Sequence, residues 1–86
     1  MNDLATIFLS KAKLGKTYYI VRFANNLSFY EKDRLLSYGF FEGNSLKVLR
    51  KSVFGSTFQV RISDYNLVLR KKEANMIVLQ EESNES

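Results

Sequence analysis

Four isolated glycines, Gly15, Gly39, Gly43 and Gly55, are the strong breakpoints of a chain that has no proline, no internal repeat and no low-complexity linker. They divide it into short strand-like runs and one helical segment. Gly15 precedes Thr17-Tyr18-Tyr19-Ile20-Val21-Arg22-Phe23, whose β-branched and aromatic residues read as a strand. Gly55 lies in Ser52-Val53-Phe54-Gly55-Ser56, which reads as a hairpin tip between two further strands. In the second of these, Thr57 to Ser63, strict alternation puts Phe58, Val60 and Ile62 on the core face and Gln59, Arg61 and Ser63 on the other. Ser45 to Lys51 repeats the logic, with Leu46 and Val48 inward and Lys47 and Lys51 toward solvent. A polar break at Asp64-Tyr65-Asn66 precedes Leu67-Val68-Leu69, and Met76 to Gln80 gives a last short strand. Five strands are expected, with the earliest apolar run as an extended sixth segment.

The helical segment is bounded by local chemistry. Ser28 and Glu31 have the spacing of a capping box, in which the hydroxyl accepts from the Glu31 amide and the carboxylate reaches back to the amide of Ser28. Phe29, Leu36 and Phe40, with Leu35 beside them, are expected to form one apolar stripe, and Gly39 stands where a left-handed residue ends a helix. The expected fold is therefore mainly β: a small SH3-like β-barrel with one inserted α-helix at about residues 28–39. Residues 1–81 are expected to form a single domain and 82–86 a flexible polar tail.

With 45% hydrophobic residues the chain is too apolar for disorder, and at 86 residues it supports one thin core. It contains no histidine and no cysteine, which removes the usual neutral-pH base and the most reactive nucleophile. Transition metals favour imidazole or thiolate, so no metal site is expected. Asp33, Glu42, Asp64 and Glu73 follow no catalytic spacing, and no glycine-rich phosphate cradle opens the helix. The expectation is a chain that is not an enzyme and carries no cofactor. The cysteine count fits a reducing compartment, the start Met1-Asn2-Asp3 lacks the basic opening of a signal peptide, and no run approaches the about 20 apolar residues of a membrane span. A cytoplasmic location without direct membrane insertion is expected.

The net charge of +4 is spread along the chain. Base stacking on Tyr18, Tyr19, Phe23, Phe58 and Tyr65 competes with the need of a small core for aromatics, and no nucleic acid partner is expected. Two features suit protein contact. Phe54, at the hairpin tip, is either an exposed anchor or a plug folded over the barrel end. Arg70, Lys71 and Lys72 place three cations in one turn, either as a contact surface or as a charged stop to the strand.

From about Gly15 to Leu79 the chain resembles the FeoA family of small cytoplasmic proteins that accompany the ferrous-iron transporter FeoB. The resemblance is carried by Ile20 in the leading strand, Arg34-Leu35 and Gly39 at the helix end, and Gly43, Leu46 and Val48 in the next turn and strand. Leu67, Leu69, Arg70, Glu73, Ala74 and Ile77 carry it through the closing block, while Tyr38 replaces the leucine usual before the helical glycine and Glu42 the usual proline. It implies a non-catalytic accessory that docks on the cytoplasmic face of FeoB and modulates its activity or assembly, with Arg70, Lys71, Lys72 and Phe54 as contacts. The alternative is a small basic barrel that binds RNA or another protein outside iron transport.

Overall fold

The computed structural model describes residues 5–82, so the polar tail expected at 82–86 lies, except for Glu82, outside the described residues. The described residues form six antiparallel strands: β1 (Thr6–Phe8), β2 (Thr17–Phe23), β3 (Ser45–Lys51), β4 (Thr57–Ile62), β5 (Tyr65–Arg70) and β6 (Ile77–Glu81). They form one sheet in the order β1-β6-β2-β3-β4-β5. The earliest apolar run is thus a true strand, paired with β6 through Thr6–Gln80, Ile7–Leu79 and Phe8–Val78. A 3₁₀ turn (Leu9–Lys11) follows β1, α1 (Phe29–Ser37) lies between β2 and β3, and a one-turn helix, α2 (Lys71–Ala74), follows β5.

The sheet is an open, curled barrel rather than the closed one expected. β1 and β5 are its edges, and no ladder joins them. Extra residues in β2 and β3, at Val21 and Leu49, interrupt the register against β6 and β4. Such bulges bend a strand and raise its twist. The curl lets Leu9 beyond one edge share a core with Leu69 and Ala74 at the other. Across the gap the Ser10 hydroxyl donates to the Asn75 side-chain carbonyl.

Phe58, Val60 and Ile62 are buried as the alternation predicts, and Leu46 and Val48 face them from β3. Lys51 differs from expectation: it is half-buried, with its ammonium 5.9 Å from the centre of the Phe58 ring. The expected break at Asp64-Tyr65-Asn66 is also shorter. Tyr65 and Asn66 already pair with Ile62 and Arg61, and a two-residue reversal at Ser63 and Asp64 suffices because Ser63 adopts φ 55°.

The capping box forms as the spacing predicts: Ser28 Oγ accepts from the Glu31 N–H and the Glu31 carboxylate accepts from the Ser28 N–H, both at 3.1 Å. The expected apolar stripe does not. Within α1 only Leu35 is buried, while Phe29 is 84% exposed and Leu36 is exposed. This nine-residue helix reaches the core through Leu35, and the chain leaves it sharply. Gly39, at φ 103°, donates to the Leu36 carbonyl, and Phe40 donates back to the Leu35 carbonyl at 3.1 Å. This paired helix-end motif brings the residue after the glycine onto the one three positions before the cap. Phe40 and Leu35 are accordingly both in the core, each burial worth about 1.5–3 kcal/mol.

Candidate functional site

The expected basic turn is a helix. Lys71 N–H donates to the Ser56 carbonyl, at 3.0 Å, which starts α2 beside the β3–β4 hairpin, and the Glu73 carboxylate accepts from the Arg70 N–H at 3.0 Å. A cation run that reads as one cluster is thereby divided between two faces. Arg70 and Lys72 line a cleft of about 400 Å³ between α1 and α2, together with Arg34, Leu35, Val68 and Met76. Lys71 lines a separate cleft of about 370 Å³, with Lys11, Lys51 and Phe58.

Two ion pairs cross the first cleft. Arg34 Nη2 lies 3.4 Å from Glu73 Oε2, and Lys72 Nζ lies 3.7 Å from Glu31 Oε2. Each joins α1 to α2, so the helix whose cap sets its start also positions one wall of the cleft. Glu31 titrates below the ordinary carboxylate range, first because the Ser28 backbone amide bonds its charged form, then through the Ser28 side chain and Lys72. Arg34 is held charged by Tyr38, whose ring centre is 6.0 Å from its guanidinium, and then by Glu73. Arg70 has no ion-pair partner among the described residues. Beside it Val68, on the outer face of edge strand β5, is 67% exposed. The cleft thus presents one free guanidinium, two tethered cations and an apolar patch on an unpaired sheet edge.

Phe54 takes the exposed alternative: at 93% exposure it plugs nothing. It lies near the second cleft, not the first, since Gly55 lines the cleft of Lys71. Arg34, Val68, Met76, Lys11 and Lys51 line the two clefts with the candidate residues, and Val53 adjoins Phe54; none of them is a contact candidate from the sequence. Val68 carries the clearest missed signal, an apolar residue on the outward parity of its strand. The convergence of Lys11, Lys51 and Lys71 has none, because it depends on the curl that brings the ends of the sheet together.

Of the aromatics considered for base stacking, Tyr19 and Tyr65 are exposed and Phe23 is half-buried. Tyr18 and Phe58 are buried, and the Tyr18 hydroxyl accepts from the Lys13 N–H at 2.9 Å. Tyr65 donates its hydroxyl to the Tyr38 carbonyl at 2.9 Å. Tyr38 itself packs against the core, as a ring in place of leucine can. Among the described residues no polar or charged side chain is buried, and no helix is long and apolar enough to cross a membrane.

Comparison with known proteins places these features in context. The family model described as the FeoA domain matches residues 7–81. A proposed Fe(2+) transport protein A of Helicobacter pylori is 34% identical over 77 residues, covering 90% of this chain and 97% of its own. The solution structure of the FeoA protein from Chlorobium tepidum superposes with a TM-score of 0.80 at 26% identity, over 93% of this chain and 74% of that one. The zinc-complexed FeoA of Stenotrophomonas maltophilia, described as an SH3 domain protein, superposes with a TM-score of 0.75 at 21% identity, over 86% of this chain and 89% of that one. The last likeness bears on the fold, and it agrees with the SH3-like architecture expected from the strand pattern.

Proposed function

The chain belongs to the FeoA family, and from that premise we propose that it is a non-catalytic accessory of ferrous iron uptake. It docks on the cytoplasmic face of a FeoB-type transporter and modulates that transporter's activity or assembly. Arg70 and Lys72, in the cleft between α1 and α2, are the primary contacts, while Lys71 and Phe54, at the separate second cleft, are further contact candidates. The observation that carries the reading is the cleft between α1 and α2, where Arg70 has no ion-pair partner among the described residues and Val68 is exposed on an unpaired edge strand. An apolar centre rimmed by cations suits an acidic segment with an apolar anchor, because the centre supplies affinity while the charges steer and orient.

The test is copurification of the chain with the full-length transporter from the same cell, together with ferrous uptake. Arg70→Glu is expected to weaken association by roughly tenfold or more through charge reversal at the contact, and to reduce uptake, with an unchanged melting temperature, since Arg70 has no ion-pair partner among the described residues. Wild-type chain that does not associate, or normal uptake in cells lacking it, overturns the reading. RNA recovered in its place, bound with a steep loss of affinity as salt rises, supports the nucleic-acid alternative.

A further inference from the structure

Residues 44–63, comprising β3, β4 and the turn between them, contain Lys47, Arg50, Lys51 and Arg61 but no carboxylate, although the chain has nine Asp and Glu residues elsewhere. At the apex, the Gly55 N–H donates to the Ser52 carbonyl at 2.9 Å and closes a β-turn. Ser52 braces it from beneath: its Oγ accepts from the Ser56 and Thr57 N–H groups, each at 3.0 Å, and its N–H donates to the Thr57 carbonyl. The two central positions of such a turn ordinarily hold Pro, Asn, Asp, Ser or Gly. Here they hold Val53 and Phe54, 91% and 93% exposed.

Around the base of this turn Lys11, from the 3₁₀ segment, Lys51, from β3, and Lys71, at the start of α2, line one cleft with Gly55 and Phe58. None of the three forms an ion pair among the described residues. A braced apolar apex therefore stands above a collar of three ammonium groups drawn from three separate elements.

We propose that this end of the molecule is a peripheral tip for an anionic bilayer, with Val53 and Phe54 entering the headgroup–acyl boundary and Lys11, Lys51 and Lys71 meeting the lipid phosphates. Two observations favour a bilayer over a protein surface. The turn is already braced, so the N–H groups of Ser52, Gly55, Ser56 and Thr57 need no partner as the apex leaves bulk water, and the peptide groups of Val53 and Phe54 stay at headgroup level, where water still reaches them. The collar is a diffuse single-sign field, which matches a laterally uniform anionic surface. Shallow apolar insertion and lysine attraction are each weak alone and combine into stable, reversible attachment. Such a tip enters one interface and spans nothing, so it departs from the sequence expectation only in replacing no insertion by shallow insertion. This inference goes beyond docking on a transporter and does not depend on it.

The purified full chain is tested by co-sedimentation with vesicles of phosphatidylcholine alone and with roughly 30% phosphatidylglycerol, a composition that supplies the negative surface potential. Binding is expected to the anionic vesicles and not to the neutral ones. Phe54→Ser should weaken it by roughly tenfold, as loss of a buried aromatic requires, and each of Lys11→Gln, Lys51→Gln and Lys71→Gln by roughly fivefold. Because the chain has no tryptophan, Phe54→Trp provides a reporter whose emission should shift to the blue on anionic vesicles. No sedimentation with anionic vesicles overturns the proposal, and so does binding that Phe54→Ser leaves unchanged, which is adsorption by charge alone. A blue shift of Phe54→Trp with detergent-solubilised transporter but not with vesicles also overturns it, and assigns the tip to protein. Loss of transporter copurification with vesicle binding intact overturns only the docking reading.

Discussion

At the scale of single residues, Gly39 has the tightest constraint. Its φ of 103° lies in the left-handed region, and its carbonyl accepts from Asn44 Nδ2 at 2.7 Å. A Cβ there would meet Ser63 Oγ and Tyr65 Oη at 3.5 Å, ordinary contact distances, so the penalty of substitution is conformational rather than steric. Gly39→Ala is therefore expected to lose roughly 1–2 kcal/mol in urea denaturation, the cost of holding an L-residue left-handed. Gly39 was legible as a helix end because only a few residue types stop a helix in this way. Tyr65 was not, because its hydroxyl reaches the Tyr38 carbonyl across 27 residues of sequence. Local pattern predicts where a backbone turns; it carries no record of which distant side chain pins the turn.

At the scale of elements, α1 joins its own initiation to the candidate contact surface. The Ser28–Glu31 box starts the helix, and the same Glu31 carboxylate faces Lys72 across the cleft. Ser28→Ala should cost about 1 kcal/mol of stability, the usual worth of such a cap. The pH dependence has a definite sign. Folding lowers the pKa of Glu31 from its ordinary value near 4.5, so its stabilisation is complete above that value and is lost as pH falls through the lower, folded one. A Glu31→Gln chain should thus show a smaller drop in melting temperature between about pH 5 and pH 3 than the parent. The box was readable from four consecutive residues. The helical face was not: a spacing of seven and four suggested Phe29 and Leu36, whereas the curved sheet reaches only Leu35, and Phe40 arrives at the core from beyond the helix. Spacing fixes which residues share a stripe, and the neighbour's curvature decides how wide a stripe is covered.

At the scale of the whole molecule, the barrel is held shut at its ends by helical turns and not by a ladder. The 3₁₀ segment after β1 meets α2 after β5, with Leu9 and Ala74 buried between and Ser10 bonded to Asn75 above. Asn75→Ala should loosen that clip: β1 amides are expected to lose roughly tenfold in hydrogen-exchange protection while those of β3 and β4 stay unchanged, since edges open independently of the centre. Equal loss throughout would mean that the clip governs global unfolding. Five of the six strands followed from alternation and glycine spacing, with β1 expected only as an extended segment, but the open seam did not, because closure depends on how far two bulges bend the sheet. The split of Arg70–Lys72 between two clefts follows from that seam, since α2 is folded over it.

The pairing of β1 with β6 has a further consequence. Thr6 stands opposite Gln80, so the polypeptide enters and leaves the fold through neighbouring strands on one side. A unit with its entrance beside its exit can be threaded into a longer polypeptide like a bead, because the flanking stretches need not travel around it. The same architecture is thus suited to life as a lone protein or as a cassette within a larger one.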